Sequence, residues 1–465
     1  MHLTANGAVN VGIAALAVAL LNYMDIWALL VDPQIPEIVD GYFGEGNYTA
    51  DNETLVPFKI EVPEIVLEDL RERLNRSRIF QPLEWTIFEY GVNGDFLRLL
   101  RDYWLQEYDW RKAEGALNAF DHYVTQIEGL SIHFIHQKPP AGKYDRVYPI
   151  LLVHGWPSSF FEYYKIIPML IDPLRTEMNA SSLPAFEVVV ASLPGYAFSE
   201  APRKRGCGTL ATARIFAKLM ERLNFNRYFC HGSHWGSIVA TTMAQLFPER
   251  VIGLHLNMVF LNPFSYPKLW GKLACNIVAP ILVSSADDFD TLLKVLSRFS
   301  RWIFEAGYLH LQATKPETIG AGLVDSPIGL AAYILEKYSS WTRRDYTTFS
   351  MGGLTLNFSL DELITQVMIY WVTKCAMPSV RYYKEFLMEM DHFVLLRAPV
   401  NTPTAVAAFP HEPLIYPESF IAQKHKRLVQ YTEIHQGGHF GALEEAQLLA
   451  SDIFKFMNFI TSSDL

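Results

Sequence analysis

A parallel β-sheet with helices packed on both faces is predicted for this chain. Three observations carry the prediction. Apolar, β-branched stretches alternate with amphipathic helical ones; one strand-to-helix joint is a tight turn bracketed by glycines; a late acid and a later histidine come after strand-like stretches.

In chain order, VYPILLV (147–153) reads as an apolar strand that breaks at His154-Gly155-Trp156-Pro157. A turn after an early strand aims a backbone N–H at a place where negative charge can develop, here that of Trp156. FEVVVA (186–191) is a β-branched strand ending in a Pro-Gly turn. The helix after it, roughly 209–223, puts Leu210, Ile215, Leu219 and Leu223 on one apolar face. A strand ending at Cys230 then enters a tight turn, with a helix starting near Ser237.

That turn is the most informative stretch. In a nucleophile elbow one side chain is held at the tip, and the residues two before and two after must be small so that strand and helix can approach. Gly232 and Gly236 bracket His234 in this way. With Ser233 at the tip the flanking residues become His231 and Trp235, both too large, so His234 is the residue presented. An elbow ordinarily offers Asp, Ser or Cys. Further on, TAVAAFPHEPL (404–414) reads as a strand ending at Glu412. YTEIHQGGHFGALEEAQLLASDIFKFMNFI (431–460) reads as a strand, a Gly-Gly-His loop carrying His439, and a long amphipathic helix. Tip 234, acid 412 and histidine 439 stand in the nucleophile–acid–histidine order of an α/β-hydrolase fold.

With 465 residues, 50% hydrophobic and 14% aromatic, the chain has material for a large core and a lid. Residues 32–145 are punctuated by prolines and acids, then helical and aromatic, and read as an N-terminal meander. The α/β-hydrolase core is expected over 146–262 and 401–465. The stretch between, 263–400, is rich in Trp, Tyr, Phe, Leu and Met at helical spacing and reads as a helical cap over an apolar pocket. A net charge of −10 and the lack of a basic cluster exclude nucleic acid as a partner. The four cysteines, at 207, 230, 275 and 375, form no pattern and read as core residues of a reducing compartment. His133 and His136 have no carboxylate companion and read as structural. No metal or cofactor is expected.

Residues 11–21 and 26–31 are apolar but interrupted by Asn22 and Asp25, which makes a marginal span against the ~20 residues a bilayer requires. The first basic residue is Lys59, so a cleaved signal with a basic start is disfavoured. A membrane anchor over 1–31 and an interfacial or buried helix both fit.

The stretches IEGLSIHFIHQKPP, HGWPSSFFEYYKIIP, LPGYAFSEA, GLHLNM, GYLHLQATKPETIGAGLVDSPIGLAAYILEKYSSW, AAFPHEPL and GGHFGALEEAQLLASDI carry a resemblance over nearly the whole chain. It resembles the microsomal-type epoxide hydrolases, including the insect juvenile hormone epoxide hydrolases. The resemblance implies an elbow aspartate that attacks an epoxide, with Tyr308 and Tyr383 of the cap protonating the ring oxygen. His439, oriented by Glu412, would activate water against the ester, and the backbone N–H groups of Trp156 and Trp235 would hold the oxyanion. It also implies an anchor in the endoplasmic reticulum membrane with the catalytic body in the cytosol, and a lipophilic small-molecule epoxide as ligand. The family elbow reads Gly-Gly-Asp-Trp-Gly-Ser, whereas this chain reads Gly232-Ser233-His234-Trp235-Gly236-Ser237. The expectation is a family member that keeps its pocket and lacks the nucleophile. The alternative is an active hydrolase in which His234 assists direct attack by water.

Overall fold

Nine strands form one sheet in the order β1-β2-β3-β5-β4-β6-β7-β8-β9. They are β1 Val56–Phe58, β2 His122–Ile127, β3 Leu130–Gln137, β4 Val147–Val153, β5 Ala185–Ala191, β6 Tyr228–Gly232, β7 Val251–Leu256, β8 Thr404–Ala408 and β9 Leu428–Glu433. The computed structural model describes residues 33, 35–176, 184–261 and 305–463. The expected anchor over 1–31, the first part of the cap and Cys275 lie outside the described residues.

From β5 to β9 the pairing is parallel throughout, as the strand–helix alternation predicts. The central strands β6 and β8 are buried along their whole length, which is why they read as continuous apolar runs. The sheet also extends N-terminal of residue 146. β1, β2 and β3 join it antiparallel through β5, so part of the 32–145 meander is sheet. Glu128 and Gly129, at φ 53 and φ 80, make the two-residue turn between β2 and β3. His133 on β3 is fully buried and joins the His122 and Ser192 side chains at 2.9 Å each. The three described cysteines are buried as well.

Two element boundaries differ from the sequence reading. β8 stops at Ala408, not Glu412, because Pro410 has no N–H to give the ladder; Glu412 sits in the loop beyond. β6 runs on to Gly232 and the next helix begins at Trp235, two residues before Ser237.

The described part of the cap is helical, including Gly307–Thr314, Pro327–Thr342, Leu360–Val372 and Ala376–Met388. Ser359 and Glu362 close a capping box at the start of Leu360–Val372. That helix is then bolted to the His-Gly-Trp-Pro turn of the core. Tyr370 Oη donates to Ser158 O at 2.8 Å and Gln366 Nε2 donates to Pro157 O at 3.0 Å. The cap is thereby registered against the loop that carries Trp156. Among the described residues no single helix is long and apolar enough to cross a membrane.

Candidate active site

The elbow exists because two glycines allow three backbone segments to meet. A Cβ on Gly236 would stand 1.7 Å from Val153 O, and one on Gly232 would stand 2.2 Å from Gly236 O. His234, between them, has φ 46 and ψ −117, a strained conformation for any residue with a Cβ. It is the N-cap of the helix Trp235–Leu246, so its side chain sits where the positive end of the helix dipole favours an anion and disfavours a cation.

The His234 ring is enclosed. Its Nδ1 accepts a long hydrogen bond from the Trp156 N–H at 3.4 Å, and its Nε2 lies 3.3 Å from Tyr383 Oη. A backbone N–H can only donate, so Nδ1 carries a lone pair and a neutral ring has its proton on Nε2. Nε2–H then donates to Tyr383, leaving the Tyr383 hydroxyl proton directed away from His234. Burial first, then the facing His439 and His154, hold the His234 imidazole well below its usual range. Near neutral pH both of its nitrogens are therefore occupied, one as acceptor and one as donor.

His439 stands across from it, the ring centroids 5.4 Å apart and the planes nearly perpendicular at 87°. Its Nδ1 is 2.8 Å from Glu412 Oε2, and both side chains are almost fully enclosed. Burial alone would depress the His439 imidazole, but the nearby carboxyl groups, Glu412 foremost with Glu162 and Glu444 behind it, together more than offset this and the net shift is upward. The two histidines are thus shifted in opposite directions, His234 downward and His439 upward, which makes His439 the stronger base of the two.

Tyr308 and Tyr383 come from different cap helices and meet over the elbow. Tyr308 stacks on Trp156 at 5.1 Å and 9°, and the two tyrosine rings lie 5.8 Å apart, edge to face. Burial raises both phenols above their usual values, so they remain protonated donors. The backbone nitrogen of Trp235 lies beside Gly155, where an added Cβ would stand 2.6 Å from it. His234, Glu412, His439, Tyr308, Tyr383, Trp156 and Trp235 thus converge. All but Trp156 line one cavity of about 920 Å³, whose walls also include Ile238, Met258, Phe260 and Phe386.

Sequence reasoning missed three residues here. Trp341, on the cap helix Pro327–Thr342, stacks 6.0 Å from the His234 ring and meets that of His439 edge to face at 4.8 Å, so the cap itself walls both. Glu444 accepts the N–H groups of Gly438 at 2.8 Å and Phe440 at 2.9 Å, which clamps the loop on either side of His439. Glu162 is buried behind the elbow, where burial raises its carboxyl to about 7 against the opposing pull of Ser233 and His439. Both acids sit inside family-like motifs, Glu162 in HGWPSSFFEYY and Glu444 in HFGALEE, but nothing in spacing alone aims them at the site.

Comparison with known proteins gives this geometry its family. The epoxide hydrolase N-terminus model matches residues 55–163, and the alpha/beta hydrolase fold model matches residues 148–446. Epoxide hydrolase 1 of Oryctolagus cuniculus is 42% identical over 96% of this chain and 98% of its own length. The chain belongs to the epoxide hydrolase family. Juvenile hormone epoxide hydrolase 1 of Ctenocephalides felis is 41% identical, covering 95% of this chain and 93% of its own. The crystal structure of juvenile hormone epoxide hydrolase from Bombyx mori superposes with a TM-score of 0.84 at 35% identity, over 92% of this chain and 99% of that one. The epoxide hydrolase of Aspergillus niger superposes at 0.70 and 28% identity, over 90% and 99%. The α/β-hydrolase fold with its helical elements is accordingly that of the epoxide hydrolase family.

Proposed function

We propose that this protein keeps the family's pocket for lipophilic epoxides but does not turn them over efficiently, because His234 stands where an aspartate is needed. The observation that carries the reading is the double engagement of the His234 ring at the elbow tip, with Nδ1 against the Trp156 N–H and Nε2 against Tyr383. Two-step epoxide hydrolysis needs a carboxylate at the tip. It attacks a ring carbon and forms an ester, whose carbonyl water can then attack. A neutral imidazole has no such product. If it opened the ring, the N-alkyl imidazolium would hold no carbonyl and the reaction would stop after one event.

The remaining machinery supports the second half of the mechanism. His439 paired with Glu412 suits the activation of water, and Tyr308 and Tyr383 suit protonation of the ring oxygen. The backbone N–H groups of Trp156 and Trp235 suit an oxyanion, but that of Trp156 is turned toward the His234 ring. The alternative, direct attack by water with His234 as base, conflicts with the same engagement. Its Nδ1 lone pair faces a donor, and its Nε2 carries the proton.

The ligand class is a lipophilic epoxide, xenobiotic or juvenile-hormone-like; the relatives' names support an epoxide and a juvenile-hormone-like one, and the apolar walls support lipophilicity. Attachment to the endoplasmic reticulum membrane through residues 1–31, with the body facing the cytosol, belongs to the same reading. Turnover of a bulky lipophilic epoxide by the wild type and by His234→Asp tests it. A gain of orders of magnitude in the variant is expected, with Ser233→Gly added if the turn must relax. Efficient wild-type turnover that His234→Ala abolishes would overturn it.

A further inference from the structure

The loop joining the helices Glu64–Asn75 and Gly94–Gln106 is unusual for a segment that faces water. Trp85 is 95% exposed, and Phe80, Leu83 and Tyr90 are each more than half exposed. Trp85 also takes φ 66, a left-handed conformation that costs energy for a bulky residue. A strained backbone that holds an indole out into solvent is not explained by packing.

Nor is the loop loose. Asn93 Nδ2 donates to Thr86 O at 3.0 Å, Arg98 Nη2 to Phe80 O at 3.0 Å, and the Phe88 N–H to Thr347 O at 2.9 Å. The last bond ties the loop to the cap segment that bears the exposed Phe349 and Leu356. On its inner side the same loop supplies Phe88, Glu89 and Gly91 to the wall of the 920 Å³ cavity, and Thr347 and Arg344 line that wall beside them. The exposed apolar side chains therefore form a rim on the outer side of a loop whose inner residues line the cavity.

We propose that this rim docks on a lipid bilayer, inserting Trp85 with Phe80, Leu83 and Tyr90 so that the cavity opens toward the membrane. Three features favour lipid as the occupant. Trp and Tyr beside aliphatic residues suit the boundary between headgroups and acyl chains, where such surfaces sink ~5–10 Å. The cavity behind the rim has largely apolar walls near the elbow, suited to ligands that partition into membranes. Thirty-two residues precede the described chain, including the apolar stretches 11–21 and 26–31. The rim makes a second contact separate from that segment, and it does not depend on the chemistry of His234.

The test uses the full chain with phosphatidylcholine vesicles, either plain or carrying bromine on their acyl chains. The emission that distinguishes wild type from Trp85→Phe should be quenched by the brominated lipid, and acrylamide access to it should fall. Phe80→Ser/Leu83→Ser/Tyr90→Ser, with Trp85 retained, should lose that quenching. Residues 1–32 are the same in every variant, so the loss belongs to the loop. The proposal is overturned if the Trp85 emission is equal in the two kinds of vesicle, or if the triple variant is quenched like the wild type. It is also overturned if Trp85 is shielded without lipid by self-association that Trp85→Ser removes, since the occupant would then be a second copy.

Discussion

Replacing Glu412 by Gln deletes one charge from an enclosed pair while keeping its shape. In the fold Glu412 Oε2 lies 2.8 Å from His439 Nδ1, with side-chain exposures of 1% and 5%. Glu412 Oε1 also accepts the Leu414 N–H at 3.1 Å. An imidazolium enclosed this far keeps its charge only beside a neutralising carboxylate. Removing one partner from a buried pair costs about 3–5 kcal/mol, and because Gln retains an acceptor the low end, about 3 kcal/mol, applies. The cost should depend on pH with a definite sign. The His439 value is raised in the fold above its usual 6.5, so its contribution is complete below the unfolded value and fades as pH climbs through the folded one. Urea denaturation of wild type and Glu412→Gln should therefore give a gap of about 3 kcal/mol near pH 6, narrowing near pH 9. A gap of equal size at both, or one that widens in alkali, would mean that His439 is not held as a cation.

Three further outcomes rest on the same geometry. Nitrogen-15 NMR should find His234 as the neutral Nε2–H tautomer near neutral pH, protonating only well below the usual histidine range; an Nδ1–H signal would contradict the Trp156 contact. Tyr383→Phe strands the His234 Nε2–H in a buried site and should lower stability by about 1–3 kcal/mol in urea; no loss would mean that water already serves that proton. Gly236→Ala sets a Cβ 1.7 Å from Val153 O, where only backbone can yield, and should cost more than about 3 kcal/mol or prevent folding; a stable variant would show that the elbow is looser than described.

The elbow is legible in the sequence because its rule is steric. Gly232 and Gly236 are required because a Cβ at either would stand about 2 Å from a backbone oxygen, and a spacing of that kind survives in the sequence alone. The order of His234, Glu412 and His439 is legible for a similar reason, since each comes after a strand that must end before its loop can reach the site. The antiparallel extension escapes the sequence reading, although Glu128-Gly129 between two alternating stretches is a hairpin signal. The aromatic, helical meander around it masks a period of two. Glu444 and Glu162 are out of reach for a different reason. Their roles depend on which loop folds back over which, and that is set by tertiary packing. The fixed state of the His234 ring is equally hidden, because it depends on a backbone N–H contributed by Trp156, 78 residues away.

Intact-protein mass spectrometry after brief incubation with excess of a lipophilic epoxide tests the central claim most directly. His234→Asp, quenched early, should carry an adduct of the epoxide's full mass that disappears as diol accumulates. The wild type should release no diol above background and should keep its own mass, since both nitrogens of His234 are engaged. Steady diol formation by the wild type at a rate comparable with the variant would contradict the claim that position 234 alone interrupts the chemistry.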